Sequence, residues 1–208
     1  MKVWAVVVAG GSGVRFGGPK HACTLGGVEL WRRCVDVFHS AGVQGVVVVG
    51  DVPGGVPAGE RRRDSVARGL QEIPDDADWV LIHDAARPLV TPELINRVLE
   101  RASNGDVDGV VPALSVTDTL KQVDGDRIVA TVDRANLVAV QTPQAFRVAV
   151  LKAAHLIDSD DATDDAALVE RTGGVLAHVL GEPSNVKITF GEDLSVARAY
   201  LARRSDSG

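Results

Sequence analysis

The chain has 208 residues and a net charge of −6, and 45% of its residues are hydrophobic while only 4% are aromatic. This length suits one domain over residues 1–208 with a core of Val, Ala, Leu and Ile, and the acidic balance argues against a protein that coats nucleic acid. No apolar run approaches the ~20 residues of a membrane span, no signal-peptide pattern follows Met1, and the two cysteines suit neither a disulfide framework nor a zinc site. We therefore expect a cytoplasmic protein without nucleic-acid or membrane partners.

The first half of the chain alternates between strand and helix patterns. Residues 3–9 form an apolar run that ends in glycine, which is typical of a parallel strand buried on both faces, and a helical pattern then extends from Leu30 to Gly42. Further strands are predicted at 46–49, at 79–82 and at 109–111, and further helices from Asp64 and Ser65 and from Thr91 to Asn104. This alternation predicts an α/β fold with a Rossmann-like, mostly parallel sheet flanked by helices.

The pattern changes between about residues 116 and 136. Two short, polar, β-prone runs at 117–123 and 127–132 flank Asp124 and Gly125, a dipeptide typical of hairpin turns. Such a hairpin has little apolar content, and an isolated hairpin is only marginally stable in water. We therefore expect it to project from the body as an arm that docks on a partner subunit.

The last third of the chain predicts helices at 146–157, 164–171 and 192–203, with strands at 175–180 and 186–190. Five aspartates between 158 and 165 resemble a calcium loop, but the Gly and Glu that such a loop needs at its sixth and twelfth positions are missing. We interpret them as a solvated loop before a helix whose positive N-terminus favours Asp, with Thr163 as its cap.

The most informative segment follows the first strand and combines glycines with two cations. Gly10, Gly11 and Gly13 let backbone N–H groups approach a phosphate closely. Arg15 and Lys20 would place positive charge where negative charge builds up on a transferring phosphoryl group. This pattern indicates a loop that handles a triphosphate, and a glycine turn of purely structural use is the alternative.

Two familiar glycine loops do not fit this segment. A Walker loop needs Gly-Lys followed by Ser or Thr, but here Pro19 separates Gly18 from Lys20 and no hydroxyl follows. A dinucleotide fingerprint needs a third glycine where this chain has Phe16.

Ligands of parallel sheets bind beyond the carboxyl ends of the strands, and two other segments bring polar residues there. One begins at Gly59 and includes Arg62 and Ser65, and the other places Asp84 and Arg87 after an apolar strand. A carboxylate at the position of Asp84 suits a ribose hydroxyl or a magnesium ion, with an ordinary turn cap as the alternative.

Together these motifs resemble the 2-C-methyl-D-erythritol 4-phosphate cytidylyltransferase family. The motifs that carry the resemblance lie at 9–15, 19–20, 62–66, 83–88, 118–121, 132–134, 142–144, 163–164 and 186–189. The resemblance extends from residue 3 to about residue 201, and it implies CTP, Mg²⁺ and a polyol phosphate as ligands. It also implies a homodimer whose arm brings side chains to the partner's site.

The resemblance assigns roles to individual residues. Nucleotide binding falls to Ala9, Gly10, Gly11, Gly13, Gly59, Arg62, Ser65, Asp84 and Ala85, with the metal near Asp84. Polyol-phosphate binding falls to Arg87, Thr119, Arg134, Thr163, Lys187 and Thr189, of which Arg87, Thr119 and Arg134 would come from the partner subunit. Arg15, Lys20, Arg134 and Lys187 would stabilise the charge of the reaction. Because the attacking phosphate is already ionised, no general base is needed.

Two alternatives remain open at the level of sequence. Gly10 and the residues after Lys20 depart from the common family pattern, and the Gly10-Gly11 pair is similar to ribitol-phosphate cytidylyltransferases and to guanylyltransferases of molybdenum-cofactor synthesis. A ribitol-5-phosphate cytidylyltransferase, or another nucleotidyltransferase of the same fold, is therefore one alternative. A nucleotide-binding regulator without catalytic activity is the other.

Overall fold

The computed structural model describes residues 1–10, 23–157 and 162–205. Its strands are β1 (Val3–Val8), β2 (Thr24–Leu25), β3 (Val28–Glu29), β4 (Gly45–Val49), β5 (Trp79–Asp84), β6 (Gly109–Ser115), β7 (Leu120–Asp124), β8 (Arg127–Val132), β9 (Val138–Val140), β10 (Gln144–Arg147) and β11 (Leu176–Leu180). Its helices are α1 (Leu30–Ser40), α2 (Arg62–Gln71), α3 (Pro92–Ser103), α4 (Val148–Ile157), α5 (Asp165–Arg171) and α6 (Asp193–Ser205).

The central sheet has the order β4-β1-β5-β10-β6-β11, with β9 also paired to β6. The pairs β4–β1, β1–β5 and β6–β11 are parallel, whereas β10 runs antiparallel to both of its neighbours. The predicted α/β fold with a mostly parallel sheet is thereby confirmed. The carboxyl ends of β4, β1 and β5 lie at one edge, which is where a ligand is expected in such a sheet.

Strand β10 corrects the prediction of a helix from residue 146. Phe146 is fully buried in the sheet, paired with Val80 on one side and Gly109 on the other, and the helix begins only at Val148. Gly109 accommodates the ring, because a Cβ there would lie 2.6 Å from Phe146 Cδ1. A short apolar run carries no periodicity that separates a buried strand from a buried helix.

Helices cover both faces of the sheet, so alternate strand residues enter different cores. Ala5 and Val7 of β1 face the core that includes Phe38 of α1 and Leu94 of α3. Val6 faces the core formed by α2, α4 and α5. A third, smaller core packs α6 against β2 and the start of α1, and its buried members are Leu25, Leu30, Leu89, Ile188 and Ala197.

Two further predictions are wrong, one about where a helix begins and one about a strand. The second helix begins at Arg62 rather than at Asp64, and Asp64 sits in its first turn, where its carboxylate accepts from Arg61 N at 3.1 Å. Residues 186–190 are β-prone but form no strand. Their backbone bonds the loop after β5 instead of a neighbouring strand, because Ile188 N donates to Ala86 O at 2.7 Å. By contrast, Thr91 caps α3 as predicted, and its hydroxyl accepts from Leu94 N at 3.0 Å.

Strands β7 and β8 form a separate two-stranded sheet, which confirms the predicted hairpin. Its turn contains Gly125 at φ +58°, a conformation that favours glycine. All residues from 121 to 140 are exposed, and Val123 and Ile128 expose 61% and 67% of their surface. The hairpin therefore has no core of its own in this chain. In the described parts of the chain, no helix is both long and apolar enough to cross a bilayer.

Candidate active site

The carboxyl ends of β4, β1 and β5 bring the first predicted site residues together. Ala9 N donates to Val49 O at 2.7 Å, and Ala85 N donates to Val8 O at 3.0 Å, so both residues extend the sheet ladder. Gly10 follows Ala9, and a Cβ on Gly10 would lie only 2.3 Å from Ala58 Cβ. The glycine is therefore required by the close approach of two chain segments, whatever else it binds.

A second turn, over residues 59–65, closes against the start of α2. Gly59 N donates to Ser65 Oγ at 3.0 Å, and Ser65 Oγ donates to Arg61 O at 3.2 Å. A Cβ on Gly59 would lie 2.4 Å from Asp64 Cβ, so only glycine fits. The Ser65 hydroxyl is buried and holds this turn, a structural role that its predicted nucleotide contact did not include.

Asp84, the last residue of β5, is the centre of a charge cluster. Arg62 Nε donates to Asp84 Oδ1 at 3.0 Å, and Lys187 Nζ lies 2.7 Å from Asp84 Oδ2. Burial alone would raise the pKa of Asp84, but Arg62 and Lys187 outweigh burial and hold this pKa well below its usual value. Asp84 is thus an ionised carboxylate whose two oxygens each bind one cation.

Arg62 joins Asp84 to a second buried carboxylate, Asp165. Arg62 Nη1 donates to Asp165 Oδ2 at 2.7 Å, and His155 Nε2 lies 3.2 Å from Asp165 Oδ1. Burial raises the pKa of Asp165, but Arg62 and His155 lower this pKa by a larger amount, so the net shift is downward. The side chain of Asp165 is only 1% exposed. The interpretation of this aspartate as solvated is therefore wrong, while Asp164 does cap α5 through Ala167 N, in place of Thr163.

The two carboxylates and two cations of this cluster sum to zero charge. Arg62 Nη2 is buried and has no hydrogen-bond partner among the described residues. Burial lowers the pKa of Arg62, but Asp165 and Asp84 raise it by more, so the guanidinium stays charged. The cluster can therefore offer the two N–H groups of Arg62 Nη2, and the Lys187 ammonium can bind an incoming anion beside Asp84.

Arg87 lies next to this cluster and carries a charge that no ion pair in the described parts of the chain balances. Its Nη1 donates to Asn185 O at 2.8 Å, and its Nε is buried without a partner among the described residues. Burial lowers the pKa of Arg87, which marks an incompletely compensated cation. Within its own chain the Arg87 guanidinium contacts the segment that carries Lys187, and the expectation that Arg87 serves the partner subunit's site stays a prediction.

The other predicted site residues are distributed differently. Thr189 follows Lys187 closely, and its N–H donates to Asp193 Oδ2 at 2.7 Å. Thr163 is exposed just before α5, while Thr119 and Arg134 lie in the arm, where the Arg134 guanidinium donates to Thr117 O. In the described parts of the chain, no hydrogen bond joins either arm residue to Asp84. The predictions for Gly11, Gly13, Arg15 and Lys20 lie outside the described residues.

Three uncharged residues near Asp84 carried no predicted role. His83 is fully buried, its Nδ1 lies 3.0 Å from Thr142 Oγ1, and its Nε2 lies 3.1 Å from Arg87 O. Asp84 N also donates to Thr142 Oγ1, at 3.1 Å. Asn185 is fully buried, and its Nδ2 donates to Thr142 O at 2.8 Å. His83 and Thr142 lie in motifs that the sequence shows, whereas nothing in the spacing of Asn185 indicates its position.

Burial lowers the pKa of His83 from 6.5 to about 4, which predicts a loss of stability in acid. Between these values the unfolded chain binds a proton that the folded chain does not, so stability falls as the pH drops below about 6.5. From pH 7 to pH 5 we expect His83 to contribute a loss of about 2 kcal/mol. Urea unfolding of the wild type and of His83→Gln at both pH values measures this loss, and equal pH dependence in the two proteins would contradict it.

The described residues contain no group of three or more His, Cys, Asp or Glu side chains placed to hold a metal ion. Asp84 lies at the strand ends with its side chain 11% exposed, whereas the side chain of Asp165 is closed off from solvent. A magnesium ion that phosphates hold needs only one or two carboxylates from the protein. Asp84 fits such a supporting role.

Comparison with known proteins places this architecture in one family. The family model for 2-C-methyl-D-erythritol 4-phosphate cytidylyltransferase matches residues 3–203. Enzymes of that name from Rhodococcus jostii and Rubrobacter xylanophilus are 44% and 40% identical to this chain, over 96% and 98% of it and over 95% and 96% of their own lengths.

A bifunctional enzyme IspD/IspF from Solidesulfovibrio magneticus is 43% identical over 94% of this chain, which spans 56% of that longer protein. The crystal structure of 2-C-methyl-D-erythritol 4-phosphate cytidylyltransferase from Thermus thermophilus superposes with a TM-score of 0.80 at 35% identity, covering 95% of this chain and 98% of that one. The chain therefore belongs to the 2-C-methyl-D-erythritol 4-phosphate cytidylyltransferase family.

Proposed function

We propose that this protein transfers the cytidylyl group of CTP to 2-C-methyl-D-erythritol 4-phosphate. An oxygen of the acceptor phosphate bonds to the α-phosphorus of CTP, the bond from that phosphorus to the β-phosphate bridging oxygen breaks, and pyrophosphate leaves. The observation that carries the proposal is the Asp84 cluster at the carboxyl end of β5, where Arg62 and Lys187 meet one carboxylate. The reaction brings two anions together, so positioning and neutralisation by such cations supply the catalysis.

The nucleotide side of the proposed site is the edge formed by β1, β4 and β5. Ala9, Gly10 and Ala85 would offer main-chain groups there, and Gly10 and Gly59 keep the surface free of side chains. Arg62, Ser65 and Asp84 would complete the base and ribose pocket, with the free Arg62 N–H as a donor. We assign Gly11, Gly13, Arg15 and Lys20 to the phosphates of CTP on the basis of sequence alone.

The acceptor side would lie beside Asp84, with Lys187 in contact with this carboxylate and Arg87 bonded to the segment that carries Lys187. Arg87 is half-buried, its Nε is buried without a partner among the described residues, and its charge is incompletely neutralised, which favours an anionic ligand such as a phosphate. The Lys187 side chain is 45% exposed while its Nζ contacts Asp84, so it can reach an incoming phosphate without leaving the cluster. Thr163 and Thr189 would add hydroxyl groups to the pocket.

We further propose Mg²⁺ as the cofactor, held mainly by the phosphates of CTP with Asp84 as the protein ligand. Asp84 is ionised, and its oxygens are hard donors of the kind that Mg²⁺ prefers. When bound, the ion would neutralise phosphate charge. The chain's own contribution is to hold Asp84 through Arg62 and to present Lys187 beside it.

We propose that the arm over residues 116–136 docks on a second copy of this chain. Among the described residues, the two strands of the arm pair only with each other, and its apolar side chains Val123 and Ile128 are exposed. The chain rejoins the central sheet at Val138–Val140. A C2 dimer buries the same patch on both subunits. Thr119 and Arg134 would then enter the partner's site, which accounts for the lack of hydrogen bonds between them and Asp84 in the described residues.

The activity is tested with a substrate panel of two polyol phosphates crossed with four nucleoside triphosphates in the presence of Mg²⁺. Pyrophosphate release is expected only with CTP and 2-C-methyl-D-erythritol 4-phosphate. Release with ribitol 5-phosphate instead would overturn the acceptor, and release with GTP would overturn the base. CTP binding without any release would favour a nucleotide-binding regulator.

A further inference from the structure

Four residues beside the charge cluster form a closed ring of hydrogen bonds in which each donates to the next. His83 Nε2 donates to Arg87 O at 3.1 Å, and Arg87 Nη1 donates to Asn185 O at 2.8 Å. Asn185 Nδ2 donates to Thr142 O at 2.8 Å, and Thr142 Oγ1 donates to His83 Nδ1 at 3.0 Å. Only the His83 imidazole both accepts and donates through one conjugated group, and the other three residues link their two bonds covalently, from a backbone carbonyl to the side chain.

The direction of the ring follows from groups whose hydrogens are fixed. Arg87 O can only accept, so His83 must carry a proton on Nε2. Asp84 N–H donates to Thr142 Oγ1, which leaves the hydroxyl proton of Thr142 free to point at His83 Nδ1. A neutral His83 with its proton on Nε2 satisfies every contact, and the burial of this side chain favours the neutral form.

The ring touches the groups that the proposed reaction needs. Asp84 is tethered to it through its backbone N–H, and Arg87 is one of its members. Lys187 lies two residues after Asn185 in a segment without helix or strand. The ring, the Ile188–Ala86 bond and the Lys187–Asp84 ion pair join that segment to the end of β5. Loose positioning of a cation lowers a rate steeply, because catalysis of this kind depends on geometry.

We propose that Thr142 and Asn185 are positioning residues, which fix Lys187 and Arg87 relative to Asp84 through this ring. The inference rests on the proposed function for the role of these three groups. It adds two uncharged residues: Thr142, whose hydroxyl accepts from Asp84 N, and Asn185, whose carbonyl accepts from Arg87. Their effect on turnover passes through His83, Arg87 and the segment that carries Lys187.

Thr142→Val keeps the shape of the side chain and removes the hydroxyl, whereas Thr142→Ser keeps the hydroxyl. We expect Thr142→Val to lower kcat about 10- to 100-fold and Thr142→Ser to stay within about threefold of the wild type, in line with the cost of small misplacements. CTP binding, measured by calorimetry, should change little in either. Thr172→Val is the matched control: its hydroxyl donates to Leu168 O and Val169 O at the end of α5, away from the ring.

Thr172→Val is expected to lower the melting temperature without lowering kcat. The proposal is overturned if folded Thr142→Val turns over as fast as the wild type, or if Thr142→Ser or Thr172→Val loses as much kcat as Thr142→Val. A second measurement needs no variant and no turnover: ¹⁵N NMR of the wild-type imidazoles should show His83 neutral with its proton on Nε2 at pH 6. A proton on Nδ1 would overturn the ring itself, whereas a wild type without pyrophosphate release would overturn only the proposed function.

Discussion

Lys187→Ala is expected to lower kcat about 10²- to 10³-fold, the cost typical of removing one preorganised group that stabilises transition-state charge. Lys187 Nζ lies 2.7 Å from Asp84 Oδ2, at the place where charge would build up between acceptor and nucleotide. CTP affinity should be largely retained, because the ammonium stabilises the developing charge more than the bound nucleotide. Initial rates of pyrophosphate release and calorimetric CTP titration measure the two effects.

Lys152→Ala is the matched control for this variant. Lys152 is also a partly exposed lysine, but its Nζ contacts Ile73 O and Asp75 rather than a residue at the strand ends. It should turn over at the wild-type rate. Unchanged turnover in Lys187→Ala would show that Lys187 has no catalytic role. Lost CTP binding would instead assign Lys187 to binding of the nucleotide before the reaction.

Mixing two inactive variants is expected to restore activity if the arm completes the partner's site. Lys187→Ala and Arg134→Ala each lack one group, and a mixed dimer would contain one site with both groups intact. After full subunit exchange, half of the dimers are mixed and half of their sites are intact, so about a quarter of wild-type activity should return. Pyrophosphate release is followed after incubation of the mixture.

The mixing result can be interpreted only if light scattering shows that both variants remain dimers. Lys187→Ala mixed with the double variant Lys187→Ala/Arg134→Ala provides the baseline, since no site in that mixture contains Lys187. If the mixture of the two single variants stays as inactive as its components, Arg134 and Lys187 act within one subunit and the arm has another role. If the wild type is a monomer, the docking proposal is wrong.

Local signals predicted most elements correctly, and the failures have a common cause. The start of α3 at Thr91 and the turn at Gly125 depend on residues next to each other in the chain. By contrast, Phe146 lies in a strand because Val80 and Gly109 flank it, and both are distant in sequence. The β-prone segment at 186–190 stays irregular because its backbone binds the end of β5 instead of a strand.

The charge cluster shows the same limit at the level of the site. Asp84, Arg62 and Lys187 are predictable, because each lies in a recognisable motif after a strand or turn. Asp165 is not: its acidic neighbours indicate solvent, whereas Arg62, 103 positions away, determines its burial and charge. Thr142 lies in a motif that does not indicate its contacts, and Asn185 has no diagnostic spacing, so only the folded chain reveals which groups these two residues bind.

The third core has a consequence for the carboxyl-terminal helix. Ile188, the residue after Lys187, is buried with Leu25, Leu30 and Leu89, and Ala197 of α6 closes that cluster. The position of Lys187 is thus stabilised by the packing of Ile188 against α6, a helix without an assigned role in the proposed reaction. Loss of packing between α6 and Ile188 would also loosen the position of Lys187. The last helix therefore supports the position of a side chain in the proposed reaction.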